Sequence, residues 1–330
     1  MSPALERLPV LVVNPFSRCN CRCVMCDIWK DVSQDAITLE QFRHQLASIV
    51  DMQVEWIVFS GGEPLMHPNI FDFCIAAKKS GARVTLLSTG LLLARHADKI
   101  VEHVDDLIIS LDGPEHIHDA IRRVPGSFQE LSVGVERLHE LKPGYRVAGR
   151  CTVQHDNYES LLDTASAARS IGLRSISFLA VDIHSAAFNR PVELDTTQQR
   201  RLAIPMDRLS EFEQQIERLI QAESSTGFVA ESPQKLRRLV SHFRSYWNRE
   251  PSVAPTCNAP WTSAVLESNG VVRPCFFQPA IGRIDEATDL KAILNGQQAL
   301  DFRSSLDVES NPLCQRCVCS LNWKGSPSAN

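Results

Sequence analysis

At 330 residues the chain has room for one large domain plus a small one, and with 44% hydrophobic residues it can bury a substantial core. Its formal net charge of −5 argues against a nucleic-acid partner, and no stretch approaches the ~18 apolar residues of a membrane-spanning helix. Residues 1–9 lack the basic start and apolar core of a signal peptide, so the eleven cysteines are expected in a reducing cytoplasm, as metal ligands rather than disulfides.

From about residue 9 to 183 short apolar runs alternate with amphipathic stretches, the pattern of βα units. The first strand is expected over Pro9–Asn14. It runs into Arg18-Cys19-Asn20-Cys21-Arg22-Cys23-Val24-Met25-Cys26, where Cys19, Cys23 and Cys26 follow a Cys-x3-Cys-x2-Cys spacing. Three thiolates that close together can grip three corners of a four-iron cluster, leaving one iron open to a small molecule. Closely spaced cysteines also hold zinc, usually as paired Cys-x2-Cys knuckles. No partner pair occurs in the first 250 residues.

A helix over Leu39–Val50 follows, capped by Thr38 with Gln41 three residues later. The second strand, Glu55–Ser60, ends in Gly61-Gly62-Glu63-Pro64, and residues without a Cβ let backbone approach a ligand closely. Strands are expected over Arg83–Ser88, Asp106–Leu111, Arg146–Val153 and Arg174–Val181. Helices are expected over Ile70–Ser80, Leu91–Val104, Phe128–Leu141 and Tyr158–Ile171, with Gly81, Gly144 and Gly172 at stops.

Six such units need parallel strands with right-handed crossovers. The expected fold is therefore α/β, a partial (β/α)6 TIM-like barrel over residues 1–190. Barrel enzymes keep their chemistry at the C-terminal ends of the strands. That rule makes candidates of Ser88 and Thr89 after strand three and of Ser110 and Asp112 after strand four, although Ser, Asp and Gly also favour turns. Arg150, inside strand five, needs an anionic partner or a wet lumen. Asn157 follows in the next loop, and Asp182 and His184 come just after strand six.

Residues 191–250 are polar and helical, punctuated by Pro205 and Pro233, and form a bridge whose basic run from Lys235 to Arg249 reads as a solvated face. Residues 251–330 are expected to be a small cysteine-rich hairpin and knuckle domain. Asn269-Gly270 is a hairpin signal that would bring Cys257 and Cys275 together, and Cys314, Cys317 and Cys319 form the knuckle. On spacing alone this set could hold zinc or a cluster. Cys21 reads as a loop residue, and Cys74 and Cys151 as small core residues.

The two early motifs together resemble the radical S-adenosylmethionine (SAM) superfamily. The resemblance implies that Cys19, Cys23 and Cys26 carry a [4Fe-4S] cluster whose open iron chelates SAM, and that one electron releases a 5′-deoxyadenosyl radical. It implies that Gly61, Gly62, Glu63 and Pro64 hold the methionine amino group. Ser88 and Thr89 would lie in SAM-contact segments, Ser110 and Asp112 would bond ribose hydroxyls or the carboxylate, and Arg150 would meet that carboxylate. The pattern Cys-x12-Gly-x4-Cys followed by Cys-x2-Cys resembles the auxiliary-cluster extension called SPASM, or its shorter twitch form. Full SPASM carries seven cysteines and this tail has five, so one auxiliary [4Fe-4S] cluster is expected on Cys257, Cys275, Cys314 and Cys317, with Cys319 as an alternative ligand.

The reaction expected is abstraction of hydrogen from a substrate C–H bond. It would lead to a two-electron oxidation or a peptide or protein side-chain modification, with a small carbinol such as an aminocyclitol or sugar as the other substrate class. Oxidation needs a base, and Asp182 and His184 are placed for it. A flavodoxin or ferredoxin type of protein would supply the electron. With Cys19 so early, neither a leader-peptide-binding nor a cobalamin domain is expected upstream. Outside enzymology the chain would be an iron–sulfur electron carrier or metal-binding scaffold.

Overall fold

The computed structural model describes residues 3–325 apart from 191 and 224. The outer ends of the expected first and third segments, residues 1–2 and 326–330, lie outside it. All six expected strands form, trimmed by no more than a residue at either end: β1 Val10–Val13, β2 Trp56–Phe59, β3 Arg83–Ser88, β4 Asp106–Ser110, β5 Val147–Val153 and β6 Ser175–Ala180. Each pairs in parallel with the next, so sheet order follows chain order.

Helices Ile70–Lys79, Leu93–His103, Ser127–Leu141 and Leu161–Ser170 cover the outer face, close to expectation. Phe42, Phe59 and Phe73 are fully buried there, with Phe42 stacked on Phe73 at 4.8 Å. Burial of each such ring is worth roughly 1.5–3 kcal/mol. On β5 the alternation is regular: Val147, Gly149, Cys151 and Val153 are buried under the helices, while Ala148, Arg150 and Thr152 point the other way and are half-buried. Register then sets Ser110, Arg150 and Ser177 side by side on neighbouring strands, facing the barrel interior.

Two helices differ from expectation. The Leu39–Val50 stretch breaks at Gln45 into Leu39–His44 and Leu46–Asp51, although its Thr38/Gln41 capping box is present. At the break the buried Gln45 side chain accepts from Leu290 N at 2.7 Å, and Ser48 Oγ accepts from Lys291 N. They serve orphan donors at the start of a tail helix, Leu290–Leu294. A second helix, Glu115–Arg122, was not among the expected elements; it is eight residues long and buries His118, Ile121 and Arg122.

The expected hairpin forms as β7 Ser263–Leu266 and β8 Val271–Arg273, turning at Gly270 with φ +83°. It does not stand apart from the barrel. β7 pairs in parallel with β1, Val10 opposite Ser263, and β9 Gly282–Arg283 adds beyond β8, making one nine-stranded sheet. The bridge folds as helices Thr196–Leu202, Leu209–Glu223 and Pro233–Tyr246. Among the described residues no helix is long and apolar enough to cross a membrane.

Candidate functional site

The cysteine loop leaves β1 at the C-terminal face of the sheet, and the glycine turn holds it there. Gly61 sits at φ +99°, a conformation glycine adopts without penalty. Gly62 packs so closely on the loop that a Cβ would overlap the Arg18 carbonyl oxygen. That same carbonyl accepts from Glu63 N at 2.8 Å. Gly62 is thus small because protein backbone approaches it, a reason independent of any ligand.

Glu63 is fully buried, and burial pushes its carboxyl above the usual range. It accepts from Leu65 N, from Ser88 Oγ at 3.0 Å, and from Thr89 through both N at 2.6 Å and Oγ1 at 2.7 Å. The sequence candidates Glu63, Ser88 and Thr89 therefore form one network. Asn20 of the cysteine loop joins it, its Oδ1 lying 3.0 Å from Thr89 Oγ1.

Four thiols meet on the loop. Cys21 is buried between Cys19 and Cys23, and its interaction with them raises its own pKa and favours their thiolates. The Cys23 thiol falls to about 6, helped first by Cys21 and further by the cation of Arg122. Burial pushes Cys26 up to about 12. Cys74 and Cys151 are buried in the core.

Two buried arginines frame the loop, and sequence reasoning singled out neither. Arg122 Nη2 pairs with Asp112 Oδ2 at 2.6 Å, and its Nη1 donates to Cys23 Sγ at 3.6 Å. Asp112 is fully buried, with its Oδ1 accepting from Thr152 N at 2.9 Å. Asn157 secures the same corner by donating to the carbonyls of Asp112 and Thr152. Arg190 Nη1 pairs with Asp182 Oδ2 at 2.8 Å, and its Nη2 donates to the Met25 carbonyl at 2.8 Å. Asp182 also accepts from Ser185 Oγ at 2.5 Å. Phe188 and Asn189, just before Arg190, both adopt left-handed φ near +60°, strain of about 1–3 kcal/mol each. The Phe188 carbonyl there accepts from Asp27 N.

Arg150 and Ser110 face the interior and remain half-buried; Arg150 Nε donates to Ser177 Oγ at 3.3 Å. His184 packs against Tyr246 and His242, and burial holds its pKa below the ordinary value. It lines a cavity of about 160 Å³ with Asp182, Ser185, Glu193, Phe277, Arg316 and Cys317.

The tail cysteines converge on Cys257, which lies in the electrostatic field of Cys275, Cys314, Cys317 and Cys319. Burial raises all four of those thiols, Cys275 to about 11. Cys317 donates to the Cys319 carbonyl at 2.6 Å, and Gln278 donates to Cys314 Sγ. Arg238, from the basic stretch expected to be solvated, instead donates to the Cys317 carbonyl at 2.9 Å.

The donor chemistry suits iron–sulfur clusters, with four thiols on one loop and five in the tail, although among the described residues no three His, Cys, Asp or Glu side chains are placed to hold a single metal ion. Buried polar atoms around the first loop also lack a protein partner, among them Asn14 Oδ1, Ser17 Oγ and Gln154 Oε1, as an absent ligand would leave them. Barrel and thiols together define an iron–sulfur protein built on a partial α/β barrel. Residues 13–168 match the family model described as the radical SAM superfamily, and residues 257–318 that of the SPASM iron–sulfur cluster-binding domain. The chain belongs to the radical SAM superfamily and carries a C-terminal SPASM domain. These families imply SAM, a [4Fe-4S] cluster and further iron–sulfur binding.

Among curated relatives, the chain is 29% identical over 178 residues to the AdoMet-dependent heme synthase of Methanosarcina barkeri, covering 51% of this chain and 50% of that one. It is 24% identical over 269 residues to the antilisterial bacteriocin subtilosin biosynthesis protein AlbA of Bacillus subtilis, covering 79% and 53%. The chain spans about half the length of these relatives. In fold it is similar to Streptococcus suis SuiB bound to S-adenosylmethionine, with TM-score 0.68 at 14% identity, covering 96% of this chain and 74% of that one. The native anSMEcpe structure with bound AdoMet gives TM-score 0.65 at 16% identity, covering 93% and 86%.

Proposed function

We propose that this chain is a radical SAM oxidoreductase or maturase that modifies a peptide or protein side chain between its two cysteine sets. The observation that carries the reading is the Asp182–Arg190 pair. Arg190 reaches the Met25 carbonyl beside Cys26, while Asp182 lines the same cavity as Cys317. The pair therefore ties the first cysteine loop to the wall of a cavity that the tail's Cys317 also lines. The relation to AlbA, a bacteriocin biosynthesis protein, supports a peptide substrate.

When bound, the first cluster and SAM would supply radical chemistry able to activate a substrate C–H bond. Cys19, Cys23 and Cys26 hold that cluster, and the Gly61–Pro64 turn, Ser110 and Arg150 orient SAM. Glu63, Ser88 and Thr89 brace the turn, and Asp112 acts through Arg122. Cys257, Cys275, Cys314 and Cys317 hold one auxiliary [4Fe-4S] cluster, with Cys319 the alternative ligand. His184, kept neutral by burial, is the group able to take a substrate proton; Asp182 positions Arg190. A protein of the flavodoxin or ferredoxin type is the electron donor. Residues 1–190, 191–250 and 251–330 serve as barrel, bridge and auxiliary domain.

A second reading, oxidation of a small aminocyclitol or sugar carbinol, is favoured by the cavity's small volume, about 160 Å³. The test is iron and acid-labile sulfide in anaerobically reconstituted protein, beside a Cys19/Cys23/Cys26→Ala variant. About eight irons falling to about four, as two four-iron clusters require, supports the proposal. About four falling to none removes the auxiliary cluster and with it the oxidative assignment. Dithionite and SAM yielding no 5′-deoxyadenosine would leave an electron carrier.

A further inference from the structure

Arg122 is the one cation hydrogen-bonded to a thiol of the first cysteine set among the described residues, and the fold spends several contacts to keep it there. The end of helix Glu115–Arg122 is tied to the cysteine loop on both sides of Cys23. The Ile121 carbonyl accepts from Val24 N at 3.0 Å and the Arg122 carbonyl from Arg22 N at 3.2 Å. Arg123 then turns left-handed, φ +54°, and ends the helix at this point. The Arg122 side chain is 9% exposed and held from behind by Asp112, which is itself fully buried. Its Nη1 donates to Cys23 Sγ at 3.6 Å, and its Nε is buried without a protein partner.

We propose that Arg122 is a positioning residue that sets the reduction potential of the cluster held by Cys19, Cys23 and Cys26, and that Asp112 limits its effect. The inference rests on the cluster assignment above. Reduction adds one electron to a group already carrying three thiolates. A cation donating to one of those sulfurs favours the reduced form and raises the potential, since hydrogen bonds to sulfur and local net charge are the levers a protein has. Asp112 offsets part of that charge. The arrangement makes the cluster easier to reduce by a one-electron donor without opening the loop to water.

The test is a dithionite titration of the full chain, reconstituted anaerobically without SAM and followed by electron paramagnetic resonance. The first cluster is identified by the signal missing from the Cys19/Cys23/Cys26→Ala variant. Arg122→Gln is expected to lower the reduced-to-oxidised ratio at a fixed potential about tenfold, which for one electron is about 59 mV. Arg122→Lys, which keeps the charge but not the fork, is expected to fall in between. Asp112→Asn is expected to move the ratio the opposite way. Should Arg122→Gln not load iron, the sign of the Asp112→Asn shift decides. Iron-loaded variants titrating with the wild-type potential would overturn the proposal while leaving the cluster assignment intact. A wild-type protein with no signal dependent on the three cysteines would overturn both.

Discussion

Asp182 and Arg190 form a nearly fully buried ion pair, 2.8 Å between Oδ2 and Nη1, with side-chain exposures of 5% and 2%. Arg190 also donates to the carbonyls of Asp182, Ser185 and Met25, so one guanidinium joins the loop after β6 to the cysteine loop after β1. Breaking a buried pair from one side strands the other charge. Arg190→Ala is therefore expected to cost about 3–5 kcal/mol of folding stability, read as a lower urea midpoint for the metal-free protein. A change within 0.5 kcal/mol would show that water replaces the guanidinium.

Gly62 offers a sharper test of how the loop is held. Its would-be Cβ meets the backbone of Arg18, not the end of a flexible side chain, so the loop itself must move. Gly62→Ala is expected to lose iron from the first site while the tail cysteines keep theirs. Iron analysis of Gly62→Ala beside Gly81→Ala separates this from a general glycine effect. Gly81, unlike Gly62, has positive φ, +92°, but open space around it. Equal iron content in both variants would refute the packing argument.

His118 predicts a pH dependence. It is fully buried, its Nδ1 accepts from Asp112 N at 3.2 Å, and burial, then the neighbouring Arg122, lowers its pKa to about 4. Asp112 and Asp119 also face it and act the other way. Unfolded, the ring titrates near 6.5, so as pH falls from there toward 4 the unfolded chain takes up a proton that the folded chain refuses. The associated stability is present above about pH 6.5 and is lost on the way to pH 4, by about 2 kcal/mol at pH 5. His118→Asn keeps an acceptor near Nδ1 and cannot titrate. Its stability is expected to fall less than that of the wild type between pH 7 and 5, by urea unfolding at each pH. Parallel profiles would contradict the assignment.

Much of the site was legible because its signals are local. Spacing alone gathered Cys19, Cys23 and Cys26 on one loop, and period-two and helical patterns located six strands and most of the outer helices. The Thr38/Gln41 cap and the Asn269-Gly270 turn follow from side chains within three residues of the backbone they serve. Arg122 and Arg190 were not legible. Their partners lie from 5 to 165 residues away, and helix Glu115–Arg122, only eight residues long, turns a histidine and an arginine into its buried face. The break at Gln45 was hidden for the same reason, since its partner Leu290 is 245 residues on.

By itself, then, the sequence determined the α/β class, the cysteine loop, the glycine turn and a second cysteine set, because each rests on backbone propensity or on spacing along the chain. Tertiary structure decided what those groups face. It joined the tail hairpin to β1 in one sheet, turned Arg150 and Ser110 toward the interior, and committed Glu63 to Ser88 and Thr89. It also set two buried arginines against the cysteine loop. A buried charge must find a partner wherever the folded chain supplies one, and that choice is made by packing rather than by neighbours in sequence.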